Sequence, residues 1–480
     1  MKIEKILKEI SYISKKIQND KEIIGISSDS RQIKENYIFL ANKGYEFDGH
    51  KYIDSAIKNG ANTIIYTNDD INFKSGINYI KVKDQRLVLA KISNLLSNYP
   101  SKSMRMIGVT GTNGKTTTAN LIAFVLNKLG SPCANIGTDG ADLINKTMPT
   151  EHTTPEITDL NEILMEAKKE NIKNAVMETS SHGLYLKRNY GIDYEYGVFT
   201  NLSMEHMDFH KTMDNYFKAK MILLNNSKKQ VVNLDDDYGK RAKEIFKDAL
   251  TISINEDSKY RAKNIKRVDL GLEFTVNGVK FHLNRFGHYD IYNSLCAIAI
   301  ANDLGYKLEE ISKALEDFTG VKSRFEFIEN KLGINIVVDF AHTPEAFENL
   351  FKDLPKDKKI YAVYGINGDR TYDIRKAVGK ISAKYGVFSV ITTDDPKFDT
   401  FENISQQIKE GVDENKGESI IIKDRKEAIK YGISHAKKGD FVFMLGKGEE
   451  NFLKLKNNIK TYYNEKETIR EVLEELWEFL

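Results

Sequence analysis

The chain has 480 residues, 41% hydrophobic and 29% charged, a composition that excludes disordered and fibrous classes and allows roughly two to four folded domains. Its 71 basic and 69 acidic residues leave a net charge of +2, which gives no case for a nucleic-acid partner or an acidic lipid surface. No apolar run approaches the roughly 20 residues that cross a bilayer, and the charged opening MKIEKILKEISYISKKIQND has no apolar signal region.

The expectation is therefore a cytoplasmic protein without membrane insertion. Cys133 and Cys296 stand in apolar segments with no CxxC spacing and read as buried free thiols. Residues 1–101 read as a small α/β unit, in which IIGISSDSRQIKENYIFLA alternates β-like runs with turns and YIDSAIKNGANTIIYT reads as helix, turn and strand. SNYPSKSMRM is a linker candidate. From 102 to 322 strands and helices alternate (MIGVT, a helix from 115, NAVMET, YGVFTN, KQVVNL), which predicts a parallel sheet covered by helices. HYDIYNSLCAIAIANDLGY has helical spacing. A third α/β unit spans 323–480. Its strands end in the polar loops 366–375, 393–399 and 446–450, and ligands of open α/β sheets sit at such strand ends. Residues 460–480 read as a charged amphipathic surface helix.

GVTGTNGKTTTANL, residues 108–121, carries the clearest chemistry. Glycines let backbone N–H groups wrap phosphate oxygens, and the helix that follows favours negative charge at its N-terminus. Gly111, Thr112, Asn113, Gly114, Lys115, Thr116 and Thr117 thus form a candidate nucleotide loop, with Lys115 on the terminal phosphates and the Thr116 hydroxyl on Mg²⁺. Val109 occupies the position of the first glycine in the longer form of this pattern, so the match is to the shorter GTxGKT form. A plain glycine turn opening a helix is the competing reading, and the Lys-Thr pair after a strand argues against it.

Two clusters follow. METSSHGL ends a strand at Glu178, where a second metal-ligating carboxylate would sit beside a phosphate loop; Thr179, Ser180 and Ser181 equally suit a helix N-cap. FTNLSMEHMDFHKTMDNYFKAKMILL holds Glu205, His206, Asp208 and His210, a set suited to metal or phosphate contact. Lys220 on the helix beyond reads, on its own, as a snorkelling surface lysine.

These motifs, together with SSDSR, HTTPE, SRFE, VVDFAHTPEAFENLF, GINGDR, TTDDPK and LGKGEE in one order along nearly the whole chain, resemble the Mur ligase family, and within it the tripeptide-synthetase (MurE) branch. The resemblance implies three α/β domains: a UDP-binding N-terminal domain (1–101), a central ATP-binding domain (102–322) and a Rossmann-like C-terminal domain (323–480). It implies an ATP-dependent ligase that phosphorylates the free carboxylate of UDP-MurNAc-L-Ala-D-Glu and joins a third amino acid to it, acting as a monomer. It further implies that Lys115, Glu178, His206 and Lys220 are the catalytic set. Thr116, Glu178, His206 and a carbamylated Lys220 hold Mg²⁺. Asn293 contacts adenine, and Arg324, Asp339 and His342 close over the nucleotide. Ser30 contacts the uridine end, while Thr153, Thr154, Ser180 and Arg188 hold the muramoyl dipeptide. Arg375, Asp394, Asp395, Pro396, Lys397, Gly446 and Glu450 surround the incoming amino acid.

Six positions depart from the family pattern: Glu205 for Asp, Asp290 for Asn, Ser323 for Gly, Glu449 for His, and Asp395 with Lys397 in place of the Asn and Arg of DNPR. Lys397 keeps the charge of that Arg without its fork. The expected amino acid is meso-diaminopimelate or a similar dicarboxylic diamino acid such as lanthionine, with L-lysine as the alternative. A folylpolyglutamate- or cyanophycin-synthetase type of ligase is the second alternative.

Overall fold

The structure, a computed structural model, describes residues 1–42, 48–68, 70–268, 271–285, 287–448, 450–455 and 459–477; Glu449 and the KGYEF stretch, residues 43–47, thus lie outside the described residues. The chain divides into two compact units. One comprises Met1–Ile265, Phe274–Phe281 and Tyr292–Glu316, the other Lys266–Glu273, His282–Ile291 and Asp317–Leu480.

The first unit contains two sheets. Strands β1 (Ser14–Lys16), β2 (Gly25–Ser27), β3 (Tyr37–Leu40), β4 (Ala61–Tyr66) and β5 (Asn78–Lys81) are ordered β1-β5-β4-β3-β2. All pairs are parallel except β1 with β5. β4 is buried along its whole length, as expected of a parallel strand covered on both faces. The proposed linker is a short 3₁₀ turn, Pro100–Ser103, with Pro100 and Ser101 buried, so it is packed structure rather than a loose tether.

It feeds the larger sheet: β6 (Arg105–Thr110), β7 (Cys133–Gly137), β8 (Gly140–Asp142), β9 (Thr147–Met148), β10 (Asn174–Glu178), β11 (Tyr194–Phe199), β12 (Ser227–Asn233), β13 (Leu250–Ser253) and β14 (Tyr260–Arg261). Their order is β14-β13-β12-β11-β6-β10-β7-β8-β9. The chain leaves β6 for one side, inserts β10, and returns on the other side as β11. That reversal leaves a crevice at the carboxyl ends of β6, β10 and β11, the place where open parallel sheets bind ligands. Both cysteines are buried and unpaired. A three-stranded sheet follows, β15 (Lys263–Val268), β16 (Gly271–Val276) and β17 (Val279–Leu283), and then the helix His288–Asp303.

The second unit holds β18 (Glu326–Ile328), β19 (Asn335–Asp339), β20 (Ile360–Tyr364), β21 (Phe388–Ile391), β22 (Ser419–Ile421) and β23 (Phe441–Leu445), ordered β18-β19-β23-β20-β21-β22, plus the hairpin β24 (Phe452–Lys454) and β25 (Lys460–Tyr462). Three of its helices begin at side-chain caps: Thr343, Thr400 and Asp424 each accept a backbone N–H of the first turn. The C-terminal segment departs from the surface-helix reading. Helix Glu465–Trp477 buries Ile469 and Val472 in the core beside Val363, Val442 and Met444, because its apolar stripe completes one face of the sheet.

Candidate active site

The loop Gly111–Gly114 joins β6 to helix Lys115–Lys128, as the sequence predicts. Gly114 sits at φ +83°, a left-handed conformation open to glycine, and a β-carbon there would lie 2.6 Å from Asn293 Oδ1. Asn293 is therefore packed against the phosphate loop, and its Oδ1 also accepts the Thr118 hydroxyl at 3.0 Å.

The loop is braced by residues that sequence reading did not single out. Thr112 N–H donates to Asn201 O (3.0 Å), Asn113 N–H to Asn201 Oδ1 (2.9 Å), and the Thr200 hydroxyl to Asn113 O (2.7 Å). Their only signal was the polar FTN ending of an apolar strand. Thr117 is buried on the first helical turn.

Glu178 ends β10, beside Val109 in register, and is buried. Its Oε2 accepts the Thr116 hydroxyl at 2.9 Å and its Oε1 accepts Thr138 N–H at 2.9 Å. A hydroxyl and a carboxylate side by side at a phosphate loop are hard oxygen donors of the type Mg²⁺ takes, so these residues fit that ion. Among the described residues, no group of three or more His, Cys, Asp or Glu side chains is arranged to hold a metal ion.

Lys220 is 1% exposed, which overturns the surface-lysine reading taken from the residues alone. Its ammonium donates to Gly111 O at 2.7 Å and lies 4.5 Å from the centre of the Tyr216 ring. Lys115 donates to the same carbonyl at 3.0 Å and to Thr112 O at 2.7 Å. Burial, reinforced by the neighbouring Lys115 charge, holds the Lys220 pKa well below that of an ordinary lysine.

His206 is in the left-handed region at φ +58° and lies 3.7 Å from the Glu205 carboxylate. Burial pushes it down to about 4, so it is neutral at pH 7 with a lone pair to offer. His182 packs edge-on against it at 4.8 Å, and His210 turns away to bond the Ser181 hydroxyl at 2.9 Å.

Ser180 caps helix Ser181–Tyr185 through Gly183 N–H (3.0 Å). Its hydroxyl is 3.1 Å from that of Thr154, which in turn donates to Glu178 O at 3.0 Å. Thr153 takes a bond from Thr138 at 3.1 Å. Arg188 donates to Thr154 O (3.3 Å) and pairs with Glu156 at 2.7 Å. Thr154 is thus bonded to the carboxyl end of β10, Ser180 and Arg188 are bonded to Thr154, and Thr153 is bonded to Thr138 beyond β7. Ser30 lies elsewhere in this unit, just after β2, buried, with its carbonyl bonded by Asn59 at 2.8 Å.

In the second unit the three polar loops come together. Lys397 pairs with Asp369 at 2.5 Å, joining the Pro396 loop to GINGD, and Arg375 bonds Asp399 (2.6 Å), Gln407 (2.8 Å) and Gly368 O (2.9 Å). Lys447, fully buried, reaches Asp395 (2.8 Å), Glu450 (2.8 Å) and Asp394 (3.7 Å). Burial works against its charge, but these carboxylates hold its pKa above the ordinary lysine value. Burial pushes Asp394 up to about 6, against the pull of Lys447 and Arg425. Gly446, at φ +103°, leaves room for Asp394, whose Oδ2 would be 2.6 Å from a β-carbon.

Asp339, at the end of β19, accepts Phe325 N–H and Ala341 N–H, both at 2.7 Å. Arg324 lies over Phe340 at 4.9 Å, and His342 Nδ1 is 2.8 Å from Phe340 O. Asp290 pairs with buried Arg285 at 3.3 Å, so its negative charge has a partner within the fold.

The profile of the Mur ligase family, catalytic domain matches residues 22–97, that of the Mur ligase middle domain 109–301, and that of the Mur ligase, glutamate ligase domain 323–448. The chain is 37% identical over 489 residues to a UDP-N-acetylmuramoyl-L-alanyl-D-glutamate–2,6-diaminopimelate ligase of Clostridium tetani, covering 99% of this chain and 100% of that one. It is 35% identical to the enzyme of the same name from Clostridium botulinum, with the same coverage. A solved structure bearing that enzyme name superposes with a TM-score of 0.68 at 27% identity, over 99% of both chains. The chain belongs to the Mur ligase family.

Proposed function

We propose that this Mur ligase, an ATP-dependent acid–amino-acid ligase of peptidoglycan precursor synthesis, adds 2,6-diaminopimelate or a similar dicarboxylic diamino acid to UDP-MurNAc-L-Ala-D-Glu. The γ-phosphoryl group of ATP passes to the free carboxylate, giving an acyl phosphate and ADP. The amine of the incoming amino acid then attacks the acyl carbon and phosphate leaves. No protein nucleophile is required; catalysis rests on positioning and on cations set against developing charge. In this reading Lys115 turns outward from Gly111 O and Thr112 O onto the phosphates. Thr116, Glu178, neutral His206 and Lys220 are the residues that would hold Mg²⁺, which supplies charge neutralisation of the phosphoryl oxygens. Lys220 joins that set as its carbamate: the low pKa of the buried amine leaves it free to take up CO₂ at neutral pH, and the product is an anionic oxygen donor. Thr153, Thr154, Ser180 and Arg188 take the muramoyl dipeptide and Ser30 the uridine end.

The observation that carries the reading is the Thr116–Glu178 contact at the foot of a phosphate loop that also receives Lys220. The names of the relatives support the diaminopimelate assignment. The alternative, L-lysine, draws on Lys397 being already paired with Asp369, which leaves its charge partly satisfied. The deciding experiment incubates the protein with ATP, Mg²⁺, the UDP-muramoyl dipeptide and an equimolar mixture of meso-diaminopimelate, lanthionine and L-lysine, and weighs the product. A mass gain of diaminopimelate is expected. ATP consumption that is equal with and without the dipeptide would refute the ligase reading.

A further inference from the structure

Arg425 opens helix Arg425–His435 in the second unit, and its side chain is 2% exposed. It cannot touch a substrate from there. Its guanidinium nonetheless uses four bonds on three separate segments. Nε and Nη2 fork onto the two oxygens of Glu465 at 2.9 and 2.5 Å. Nη1 donates to Thr393 O at 3.1 Å, and Nη2 to Leu445 O at 2.9 Å. Thr393 immediately precedes Asp394, and Leu445 immediately precedes Gly446. Glu465, also buried, is the first residue of the C-terminal helix and accepts the Tyr463 hydroxyl.

We propose that Arg425, held by Glu465, is a positioning residue for the incoming amino acid: one buried fork sets the register of the loop 394–397 against the loop 446–450. This rests on those loops being where the amino acid binds. The argument is geometric. β21 and β23 are not neighbours in the sheet, because β20 lies between them, so no ladder bond fixes one strand end against the other. The loops nevertheless meet closely, at Asp394 against Gly446 and at Asp395 against Lys447. A planar five-donor group can bond both carbonyls and a carboxylate at once; an ammonium on a thinner stem cannot reproduce that fork. Glu465 keeps the guanidinium turned toward the two carbonyls and balances its charge.

The test compares Arg425→Lys and Glu465→Gln with the unaltered protein. Loosening the guanidinium's hold on the two loop carbonyls, directly in Arg425→Lys and through its lost partner charge in Glu465→Gln, is expected to raise KM for meso-diaminopimelate about tenfold. KM for ATP and for the UDP-muramoyl dipeptide should stay within about twofold, since the proposed reading assigns both to residues of the first unit and the closing motifs, not to these loops. Amide hydrogen exchange should quicken together in 392–397 and 446–450. If Arg425→Lys does not fold, Glu465→Gln, which preserves shape, carries the test. A fall in Tm with all three KM values unchanged, or faster exchange spread evenly over the unit, would overturn the proposal by showing the pair to be structural only. If the unaltered protein forms no product with any amino acid, the ligase reading fails instead, and the exchange pattern still decides whether the fork holds both loops.

Discussion

Replacing Lys447 with methionine removes one buried ammonium from three carboxylates. The two contacts at 2.8 Å are each worth about 6 kcal/mol of attraction at an effective dielectric constant of about 20, before desolvation is counted. Most of that is offset by the cost of taking the ions out of water, and breaking a buried pair leaves a net loss of about 3–5 kcal/mol. For a unit of this size the loss corresponds to a fall in Tm of roughly 10 °C.

The loss depends on pH, and Asp394 fixes its direction. Its pKa is raised to about 6 in the folded protein, so between the unfolded value and 6 the folded state binds the extra proton and stability declines as pH rises. Lys447 limits that decline by stabilising the carboxylate. Without it, Asp394 ionises at still higher pH, so the share of the loss that Asp394 carries appears above pH 6 and adds to the pairs lost with Asp395 and Glu450. Denaturant melts of Lys447→Met and the unaltered protein at pH 5 and pH 8 check this. The loss at pH 8 should exceed that at pH 5. An equal loss at both values would refute the electrostatic account and leave only a packing defect.

Gly114→Ala forces a side chain into a left-handed conformation and against Asn293, a strain of about 1–2 kcal/mol. ATP affinity measured by calorimetry should fall roughly tenfold, and the same strain should lower Tm by roughly 2–8 °C. Glu178→Gln keeps the bond from Thr116 but removes the charge, and should lower Mg²⁺ affinity, read from the Mg²⁺ dependence of turnover, by at least about 10–100-fold. Lys220→Ala should abolish turnover, with short carboxylic acids in the assay buffer restoring part of it; an inert substitution would count against a carbamate. Cys133 and Cys296 are each pushed up to about 12 by burial, so neither should react with a thiol reagent at pH 8 until denaturant is added.

What the sequence discloses here is mostly what neighbouring residues settle among themselves. The phosphate loop, the strand ending at Glu178 and the helix opened by Ser180 depend on glycine, cap and periodicity signals within a few residues, and each stands where the local pattern puts it. Lys220 shows where such reading stops. It falls in the stripe with Tyr216, Phe217, Met221 and Leu224, so periodicity alone turned it inward, yet a long charged side chain is by default assigned to water. Only the Gly111 carbonyl, 109 positions earlier, accounts for its place. The same holds for Asp369 under Lys397, Asn201 under Asn113 and Glu465 under Arg425. Each pairing is made by the sheet order, and no spacing rule encodes it. The C-terminal helix differs from its surface reading for a related reason: an amphipathic stripe shows that one face is covered without saying by what.

The order β18-β19-β23-β20-β21-β22 has a consequence for how the chain is made. β23 lies between β19 and β20, although it is synthesised last of the six. During translation the ribosome delivers β19, β20, β21 and β22 before the strand that joins the first two exists. Until Leu445 has emerged, β19 and β20 each present an open edge, apolar in the middle of β19 and along β20. The second unit therefore cannot close progressively from its N-terminal side. A chain truncated short of residue 441 is expected to keep those two edges open, and unpaired edges of that kind favour aggregation over a partial fold.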